Sequence, residues 1–552
     1  MHLISSLIAG RPICGTITPV MPRDLDRLAD TTHDLLVIGG GIHGLFTAWL
    51  AASRGLTVAL IDRADFGGGL SFNHQRTIHG GLRALESANV MKVREQIAER
   101  RVWATLAPAH ICPVPFLLPL RRGEKPSRLA LWAGLRVYDA LAAGRHAGLP
   151  AHLHLGPSQV LSADAAHAIT PDLPREGLVG AAAWSDYQTV RPDRLNWLVA
   201  LAASGAGALL ANYVEARAGR RVGSRFAGVE AVDVLSGRPI TIQAHTTVIA
   251  AGSGLPALLP ALDLDDTPPP LVAAANLLVA RPAASHALAV RGPSGRRLTA
   301  IPWAGYTLLG TFQGADVSRT GDPFPLTVPA MLAEANAAFP WLHLSPADVR
   351  VVHRGLVPAV VAAGRVDLMP DAKLIRHDAR GVTGVVSVVG VKFTTARLAA
   401  AAALDVIRPD RSPWASAPVI PGPLPFGHLS SSTARLTDAA RNLGIDDECL
   451  SDLCAWYGDE AAEILDFARQ TGQPDRLSAG SSVLAAEILY AAHRSLAPRL
   501  ADVVLRRTRL GMAGRPAQAA LDRAADLMAG ALGWSADERA AEIAVVDQRF
   551  AF

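Results

Sequence analysis

Lysine and cysteine are both scarce in this chain of 552 residues. Lysine supplies only four of the 53 Lys and Arg residues, so a lysine inside a motif is informative. The four cysteines form no CxxC pair, which excludes a disulfide framework, and their spacing predicts no metal site. Charged residues make up 18% and hydrophobic residues 50%, which excludes a largely disordered chain. The net charge of +4 is spread evenly and predicts no nucleic-acid partner.

Long hydrophobic runs are also missing, apart from one uncharged stretch at residues 195–214. That stretch has the nominal length of a bilayer span. Its interior contains Gly205, Gly207 and Asn212, which favour a helix, a glycine turn and a short strand over one lipid-facing helix. We therefore expect no membrane span here.

A glycine-rich turn follows the apolar segment 34–38 and precedes an apolar helical segment. It contains Gly39, Gly41 and Gly44 in the spacing GxGxxG, and the next predicted strand ends at Asp62. This is the full context of a dinucleotide-binding βαβ unit. The three glycines allow, in order, the tight turn, the approach of the backbone to a diphosphate, and close packing of helix on strand. Asp62 is expected to accept hydrogen bonds from the adenosine ribose.

The second half of the nucleotide site is predicted to be formed by segments much later in the chain, at the glycine turns of residues 246–254 and 385–395. We predict further cofactor contacts there and nearby, at Val214, Ala250 and Gly252. An NAD enzyme usually completes a compact sheet directly after the glycine motif. The interleaved chain therefore favours FAD.

The predicted fold is an α/β flavoprotein. A Rossmann-like FAD-binding domain is interleaved with an antiparallel-sheet substrate domain, and an all-α C-terminal domain follows. Six prolines between 409 and 425 interrupt regular structure and mark the best boundary. The expected divisions are a disordered N-terminal extension, the FAD-binding and substrate domain, a Pro-rich linker and the helical domain, at residues 1–33, 34–408, 409–428 and 429–552. Segments 239–244 and 246–249 are expected to form two strands.

Several stretches together resemble the FAD-dependent glycerol-3-phosphate dehydrogenases. They are residues 34–55, the sequence IHGGLR at 78–83, the sequence VGVKFTTAR at 389–397, and the helical tail at 487–511. The resemblance runs over roughly residues 33–550. It implies that the flavin takes a hydride from the carbon bearing the substrate hydroxyl while a base removes the proton. It also implies that the electrons pass to a membrane quinone or another acceptor.

Position by position, the resemblance assigns roles to particular residues. Arg83 and Lys392 match the cations at the substrate phosphate and the flavin edge. His79, Gly80 and Gly81 match the loop over the flavin, with His79 a catalytic candidate. Further cofactor contacts are implied at Asn73, Gly390, Lys392, Phe393 and Thr394.

The substrate pocket departs from the family pattern. Ala84, Asn276 and Val357 stand where the family has a tyrosine, a histidine and an arginine. Losing one phosphate-binding arginine typically costs about 1.5–3 kcal/mol of binding free energy. We therefore expect an altered substrate and name His353 and His74 as candidate proton acceptors.

The expected partners are a small-molecule substrate such as a phosphorylated polyol, a quinone or another electron acceptor, and a peripheral membrane contact. The expected location is cytoplasmic or on the cytoplasmic face of a membrane. Two alternatives stay open: an amine or amino-acid oxidase-like flavoenzyme, and a flavin-binding protein whose catalytic pocket is lost.

Overall fold

The computed structural model describes residues 21–123, 127–282, 285–318, 325–362, 365–411, 413–414 and 433–552. Residues 1–20 of the expected extension, residues 412 and 415–428 of the expected linker and residues 429–432 of the expected helical domain lie outside this part of the chain. Among the described residues, no helix has both the length and the apolar character that a membrane span requires. The stretch at 195–214 is a helix, a turn and a short strand, as predicted.

The strands divide between two sheets. In chain order they are β1 (Thr32–Ile38), β2 (Val58–Ile61), β3 (Thr77–Ile78), β4 (Ile111–Arg121), β5 (Gln159–Leu161), β6 (Leu178–Thr189), β7 (Leu209–Ala211), β8 (Val214–Val222), β9 (Arg225–Asp233), β10 (Pro239–Ile249), β11 (Leu271–Val279), β12 (Ala287–Arg291), β13 (Arg297–Trp303), β14 (Tyr306–Ser318), β15 (Val349–Ala362), β16 (Arg365–Leu368), β17 (Lys373–Arg376) and β18 (Val385–Val389).

The helices connect the strands and then form the C-terminal domain. They are α1 (Leu25–Asp30), α2 (Ile42–Ala52), α3 (Val90–Leu106), α4 (Arg128–Leu141), α5 (Ala163–Ile169), α6 (Pro192–Gly205), α7 (Leu255–Ala261), α8 (Val328–Ala338), α9 (Ala396–Ile407), α10 (Thr433–Asn442), α11 (Asp447–Tyr457), α12 (Glu460–Thr471), α13 (Ala485–Arg494), α14 (Leu500–Asp502), α15 (Gln518–Leu532) and α16 (Ala536–Phe550). A π-helical turn, Val503–Arg507, follows α14.

The first sheet, called here the parallel sheet, has 8 strands among the described residues and contains the order β17-β18-β10-β1-β2-β7. In this order, each pair of neighbouring strands from β18 to β7 is parallel. Strand β17 pairs antiparallel with β18, and β9 pairs antiparallel with β10. Leu35, Leu36 and Val37 in β1 are fully buried, because both faces of a parallel sheet are covered. Helices α2, α6 and α9 pack together over one face.

The second sheet, called here the antiparallel sheet, has 10 strands in the part of the chain that the structure describes. Their order is β16-β15-β11-β14-β13-β12-β4-β6-β3, with β5 paired to β6. All its pairs are antiparallel except β12 with β4. The segments that build the two sheets alternate along the chain, since β3 to β6 and β11 to β16 leave the parallel sheet and return to it. The predicted interleaved fold is confirmed.

Three sequence predictions need correction. Residues 24–33 are not a disordered extension: α1 buries Leu25 and Leu28 against the parallel sheet, and β1 begins at Thr32. Segments 239–244 and 246–249 form one continuous strand, β10, because residues 239–243 pair with β9 and residues 243–249 pair with β1. The first residues of the expected linker are docked, since Trp414 is buried under the guanidinium of Arg54.

Buried charges join the C-terminal domain to the parallel sheet. Asp65, shortly after β2, accepts hydrogen bonds from Arg507 Nη2 at 2.7 Å and Nη1 at 2.9 Å, and from Arg506 Nε at 2.6 Å. Arg506 Nη2 also lies 2.5 Å from Asp502. All four side chains are buried, and the charge of Asp65 is balanced by two arginines of the C-terminal domain.

Candidate active site

The glycine turn between β1 and α2 is packed so closely that side chains are excluded. Gly39 has a φ of +112°, and a Cβ there would overlap the carbonyl oxygen of Ala250 at the end of β10. A Cβ on Gly44 would overlap the carbonyl oxygen of Gly39. The turn therefore presents bare backbone at the N-terminus of α2, which is the arrangement that binds a diphosphate.

Asp62 ends β2 beside this turn. Its Oδ2 accepts a hydrogen bond from the Gly40 amide at 2.6 Å, and its Oδ1 accepts one from the Ala64 amide at 2.8 Å. Burial raises the pKa of Asp62 to about 6, against the effect of these hydrogen bonds. The amide of Val214 donates to the Asp62 carbonyl at 2.8 Å, so these two predicted cofactor residues lie together.

His43 connects the turn to the second glycine segment. Its imidazole lies against Gly390, where an added Cβ would lie 2.5 Å from Nδ1. Its Nε2 has no hydrogen-bond partner among the described residues, and burial lowers its pKa to about 4. The neighbouring Ile42 amide donates to Ser71 Oγ at 2.9 Å. An orphaned ring nitrogen between two glycine turns is a group that a dinucleotide phosphate or ribityl hydroxyl satisfies, so these residues fit a flavin dinucleotide.

The loop that follows Ser71 crosses the antiparallel sheet. The ring of His74 stacks on Phe393 with 4.6 Å between centroids, and Phe393 stacks on Trp103 at 4.9 Å. Gln75 Nε2 donates to the Gly310 carbonyl at 3.0 Å. The loop thereby joins the predicted cofactor segment around Phe393 to the predicted substrate sheet.

His353 lies in a closed, cationic cluster under this loop. Its Nδ1 is 2.9 Å from Asn73 Oδ1 and 3.4 Å from Arg549 Nη2, which comes from α16 of the C-terminal domain. Arg76 stacks on Trp303 at 3.7 Å and also approaches the imidazole. Burial, reinforced by the charges of Arg76 and Arg549, holds the pKa of His353 well below its usual value. The imidazole is therefore neutral and enclosed.

His79 has a different setting. Its Nδ1 lies 3.1 Å from Asp186 Oδ2 in β6, and half of its side chain is exposed. Asp186 also accepts hydrogen bonds from the Gly80 amide at 2.8 Å and from Arg100 Nη1 at 2.6 Å. Burial opposes ionisation, but the His79 hydrogen bond and the Arg100 charge lower the pKa of Asp186 to about 2. An ionised carboxylate therefore fixes the orientation of the His79 imidazole through Nδ1.

Three cationic side chains, Arg83, Lys392 and Lys92, interact electrostatically near the segment that follows His79. Arg83 is 87% exposed, and its Nε lies 4.0 Å from Glu86. Lys392 Nζ lies 3.9 Å from Asp371 Oδ1, and Lys92 Nζ lies 2.7 Å from Asp371 Oδ2. Burial, followed by the charges of Lys92 and Arg83, lowers the pKa of Lys392. The two cations predicted from the sequence are thus electrostatic neighbours, and a third joins them.

Comparison with known proteins identifies the family. Residues 34–405 match the family model of the FAD dependent oxidoreductases, and residues 423–539 match the C-terminal domain of alpha-glycerophosphate oxidase. Glycerol-3-phosphate dehydrogenase 1 from Mycobacterium bovis is 31% identical over 514 residues, which cover 89% of this chain and 94% of that protein. The chain belongs to the glycerol-3-phosphate dehydrogenase family.

Other members of this family are similar over almost the same length. The glycerol-3-phosphate dehydrogenase from Synechocystis is 28% identical over 519 residues, covering 89% of this chain and 91% of that protein. A crystal structure of the Bacillus halodurans enzyme complexed with FAD has the same fold, with a TM-score of 0.70 and 22% identity over 96% of this chain and 97% of that chain. The predicted family, fold class and FAD dependence are confirmed.

As a member of the glycerol-3-phosphate dehydrogenase family, the protein uses FAD, and the predicted cofactor residues fall into two groups. One group surrounds the turn and the end of β10: Gly39, Gly41, Gly44, Asp62, Val214, Ala250 and Gly252. The other joins the His79 loop to the 390–394 segment: Asn73, Gly80, Gly81, Gly390, Lys392, Phe393 and Thr394. Gly80 admits no side chain, because a Cβ would overlap Tyr138 and Arg100.

The three positions that depart from this family's pattern lie apart in the structure. Asn276 in β11 pairs with His353 in β15, and its Oδ1 accepts a hydrogen bond from Thr311 at 2.9 Å. Val357 pairs with Val272 farther along the same two strands. Ala84 belongs to the short turn after Gly81. Asn276 is therefore held by a polar contact within the sheet, and Val357 occupies a paired position of the same two strands.

Sequence reasoning missed four residues of this site: Asp186, Lys92, Asp371 and Arg549. Lys92 carried one usable signal, since it is one of four lysines in the chain. Asp186 and Asp371 are acidic residues without a motif. Arg549 lies 196 positions after His353 and meets it only because α16 packs against β15.

Proposed function

We propose that this protein oxidises the secondary alcohol of a small anionic polyol to a ketone and passes the electrons to a quinone or another acceptor. Glycerol 3-phosphate or a phosphorylated relative is the substrate class. The observation that most supports this proposal is the His79–Asp186 pair, with the cation Arg83 only four residues after His79. A base and an anion-binding charge in one segment suit a substrate that carries a hydroxyl and a phosphate.

FAD, when bound, supplies the hydride acceptor. Asp186 holds Nδ1 of His79 and stabilises the charge that the imidazole gains on protonation. Nε2 of His79 then accepts the hydroxyl proton as the carbon loses its hydride. Arg83 and Lys392 bind the anionic group and fix the orientation of the carbon that reacts.

His353 is the second candidate base, and its surroundings favour it less. Protonation there would place a third charge beside Arg76 and Arg549 in a buried cluster. Asn276, opposite His353, is also engaged with Thr311. We therefore assign proton transfer to His79 and a positioning role under the flavin loop to His353.

The test is anaerobic flavin reduction by a panel of phosphorylated and uncharged polyols. His79→Asn should retain FAD and slow reduction by about 10²- to 10⁴-fold, whereas His353→Asn should slow it by less than about tenfold. The reverse ranking would make His353 the base. Peroxide release with amines, and no reduction by any polyol, would instead support the amine or amino-acid oxidase alternative. Reduction by no compound of either class would support a lost pocket.

We also propose that the protein docks on an acidic phospholipid surface through α4. This helix buries Leu135 and Tyr138 and exposes Leu129, Trp132 and Val137, by 74%, 52% and 48%. Beside its first turn lies a cavity of about 520 Å³ lined by Arg121, Arg122, Arg128, Arg291 and Arg297. Exposed apolar side chains next to arginines suit an interface with anionic lipid.

Vesicle flotation tests this contact. The wild-type enzyme should float with phosphatidylglycerol vesicles and not with phosphatidylcholine vesicles, because the arginines require anionic headgroups. Trp132→Gln with Leu129→Gln should abolish flotation and leave flavin reduction unchanged. Val545→Gln, at an exposed apolar residue of α16, is the matched control. Flotation of the double variant equal to wild type would contradict the proposal.

A further inference from the structure

Two of the four lysines in the chain meet at one carboxylate. Lys92, in the first turn of α3, lies 2.7 Å from Asp371 Oδ2, and Lys392, after β18, lies 3.9 Å from Asp371 Oδ1. The three residues come from separate parts of the chain, so the tertiary fold alone brings them together. In a chain where arginine supplies most of the cations, two lysines at one point are unusual.

This lysine pair is near the groups assigned to substrate and cofactor. Lys392 directly precedes Phe393, whose ring stacks on His74. The charge of Arg83 acts on Lys392 together with that of Lys92. Lys92 and Lys392 share one carboxylate, Asp371, while Glu86 pairs with Arg83 and Arg297 on the adjoining side. The net positive charge suits an anion with more than one negative charge.

The three side chains of this cluster differ in their exposure to solvent. Lys92 is 20% exposed and Lys392 is 36% exposed, whereas Asp371 is 58% exposed. Asp371 lies in the turn between β16 and β17, where it can move into water at little cost. The lysines are the fixed part of the cluster, and the carboxylate is the part that a competing anion displaces.

We propose that Lys92 is a specificity-determining residue that, with Lys392, binds the phosphate of the substrate in exchange for Asp371. This inference rests on the proposed function and names the group that recognises its anionic substrate. Lys92 supplies a positive charge beside Lys392. Its ammonium group on a flexible stem binds phosphate as a point charge and tolerates a displaced phosphate position.

The test uses FAD-loaded enzyme and two independent measurements. Calorimetric titration with inorganic phosphate at constant ionic strength reports anion binding without turnover. Anaerobic flavin reduction by glycerol 3-phosphate and by glycerol reports half-saturating concentration and maximal rate separately. Lys373→Met is the matched control, because it removes a lysine from neighbouring β17 that forms no ion pair with any described residue.

Lys92→Met should weaken phosphate binding and raise the half-saturating concentration of glycerol 3-phosphate by about tenfold or more. The maximal reduction rate should change by less than about twofold, because the reacting carbon is not touched. Lys92→Arg should restore most of the affinity. Asp371→Asn should tighten phosphate binding by about two- to fivefold, and Lys373→Met should match wild type.

Two results would overturn the inference: Lys92→Met binding phosphate like wild type, or Asp371→Asn binding it more weakly than wild type. If the cluster were merely structural, Lys92→Met and Asp371→Asn would both bind phosphate more weakly. Tighter phosphate binding by Asp371→Asn therefore distinguishes a phosphate site from a structural ion pair. If no polyol reduces the flavin but the phosphate titrations behave as expected, the proposed function fails and the anion site stands.

Discussion

At the scale of single residues, Asp186 joins parts of the chain that are distant in sequence. Its carboxylate binds the imidazole of His79, the amide of Gly80 and the guanidinium of Arg100. Trp184 Nε1 is a fourth donor at 3.4 Å, and together these groups stabilise the charged form of the carboxylate, although burial alone would favour the neutral acid. Asp186 therefore contributes to stability as well as to the orientation of the proposed base.

Asp186→Asn should lower the free energy of unfolding in a pH-dependent way. The folded pKa of about 2 lies below the unfolded value of 3.8, so the stabilisation is fully present above about pH 4 and is lost as the pH falls toward 2. The difference should be about 2 kcal/mol at pH 7. Urea denaturation at pH 7, 4 and 3, with Asp172→Asn at an exposed position as control, measures it. A difference that stays constant across this range would contradict the assignment.

At the scale of an element, the first turn of α2 shows how packing selects glycine. Gly44 faces the carbonyl of Gly39 closely, so helix and strand touch backbone to backbone. The same element contains His43, whose orphaned Nε2 faces the second glycine segment. The GxGxxG spacing predicted this turn correctly because a few neighbouring residues specify it.

Gly44→Ala should reduce FAD affinity at least tenfold and lower the midpoint of thermal unfolding. The added methyl group must push α2 away from the turn, and overpacking of this kind typically costs about 1–3 kcal/mol. Gly134→Ala in α4 is the control, because its Cβ would meet open space and alanine is the better helix former. FAD content and thermal midpoint are measured on both variants. Full FAD occupancy in Gly44→Ala with a wild-type midpoint would refute the expectation.

At the scale of the whole molecule, the C-terminal helices complete the flavoprotein in two places. Arg506 and Arg507 neutralise Asp65 beside the nucleotide turn, and Arg549 closes the cluster around His353. The sequence showed this region as a helical domain behind a proline-rich linker. Its contacts make it part of the core that supports the flavin loop.

Asp65→Asn should uncouple the two domains. Two arginines would keep their charge in a buried site without a full counter-charge, and breaking such a pair typically costs about 3–5 kcal/mol. We expect calorimetry to show two unfolding transitions in place of one, with FAD released in the first. Arg539→Met, at a surface ion pair within the C-terminal domain, should leave the single transition intact. One transition at the wild-type temperature in Asp65→Asn would rule out this role for the network.

The features that could be predicted from the sequence share one property: each is specified by residues close together in the chain. The glycine turn with Asp62, the strand alternation and the helical tail each depend on residues within about thirty positions, where backbone geometry and hydrophobic period decide the outcome. The errors fell where local signals conflict. A strand break was predicted at His245, which lies within β10. Residues 24–33 were predicted to be an extension because α1 buries only two leucines.

The sequence by itself determined the family, the cofactor and the order of the segments, because the motifs that bind a dinucleotide are short and rigid in their requirements. Only the tertiary structure decided which side chains face each other at the active site. His79 meets Asp186 across 107 positions, and Lys92 meets Asp371 across 279. Such pairs form because two sheets and a helical domain fold over one another. Their energetics depend on burial and on neighbouring charges, which no local pattern of residues encodes.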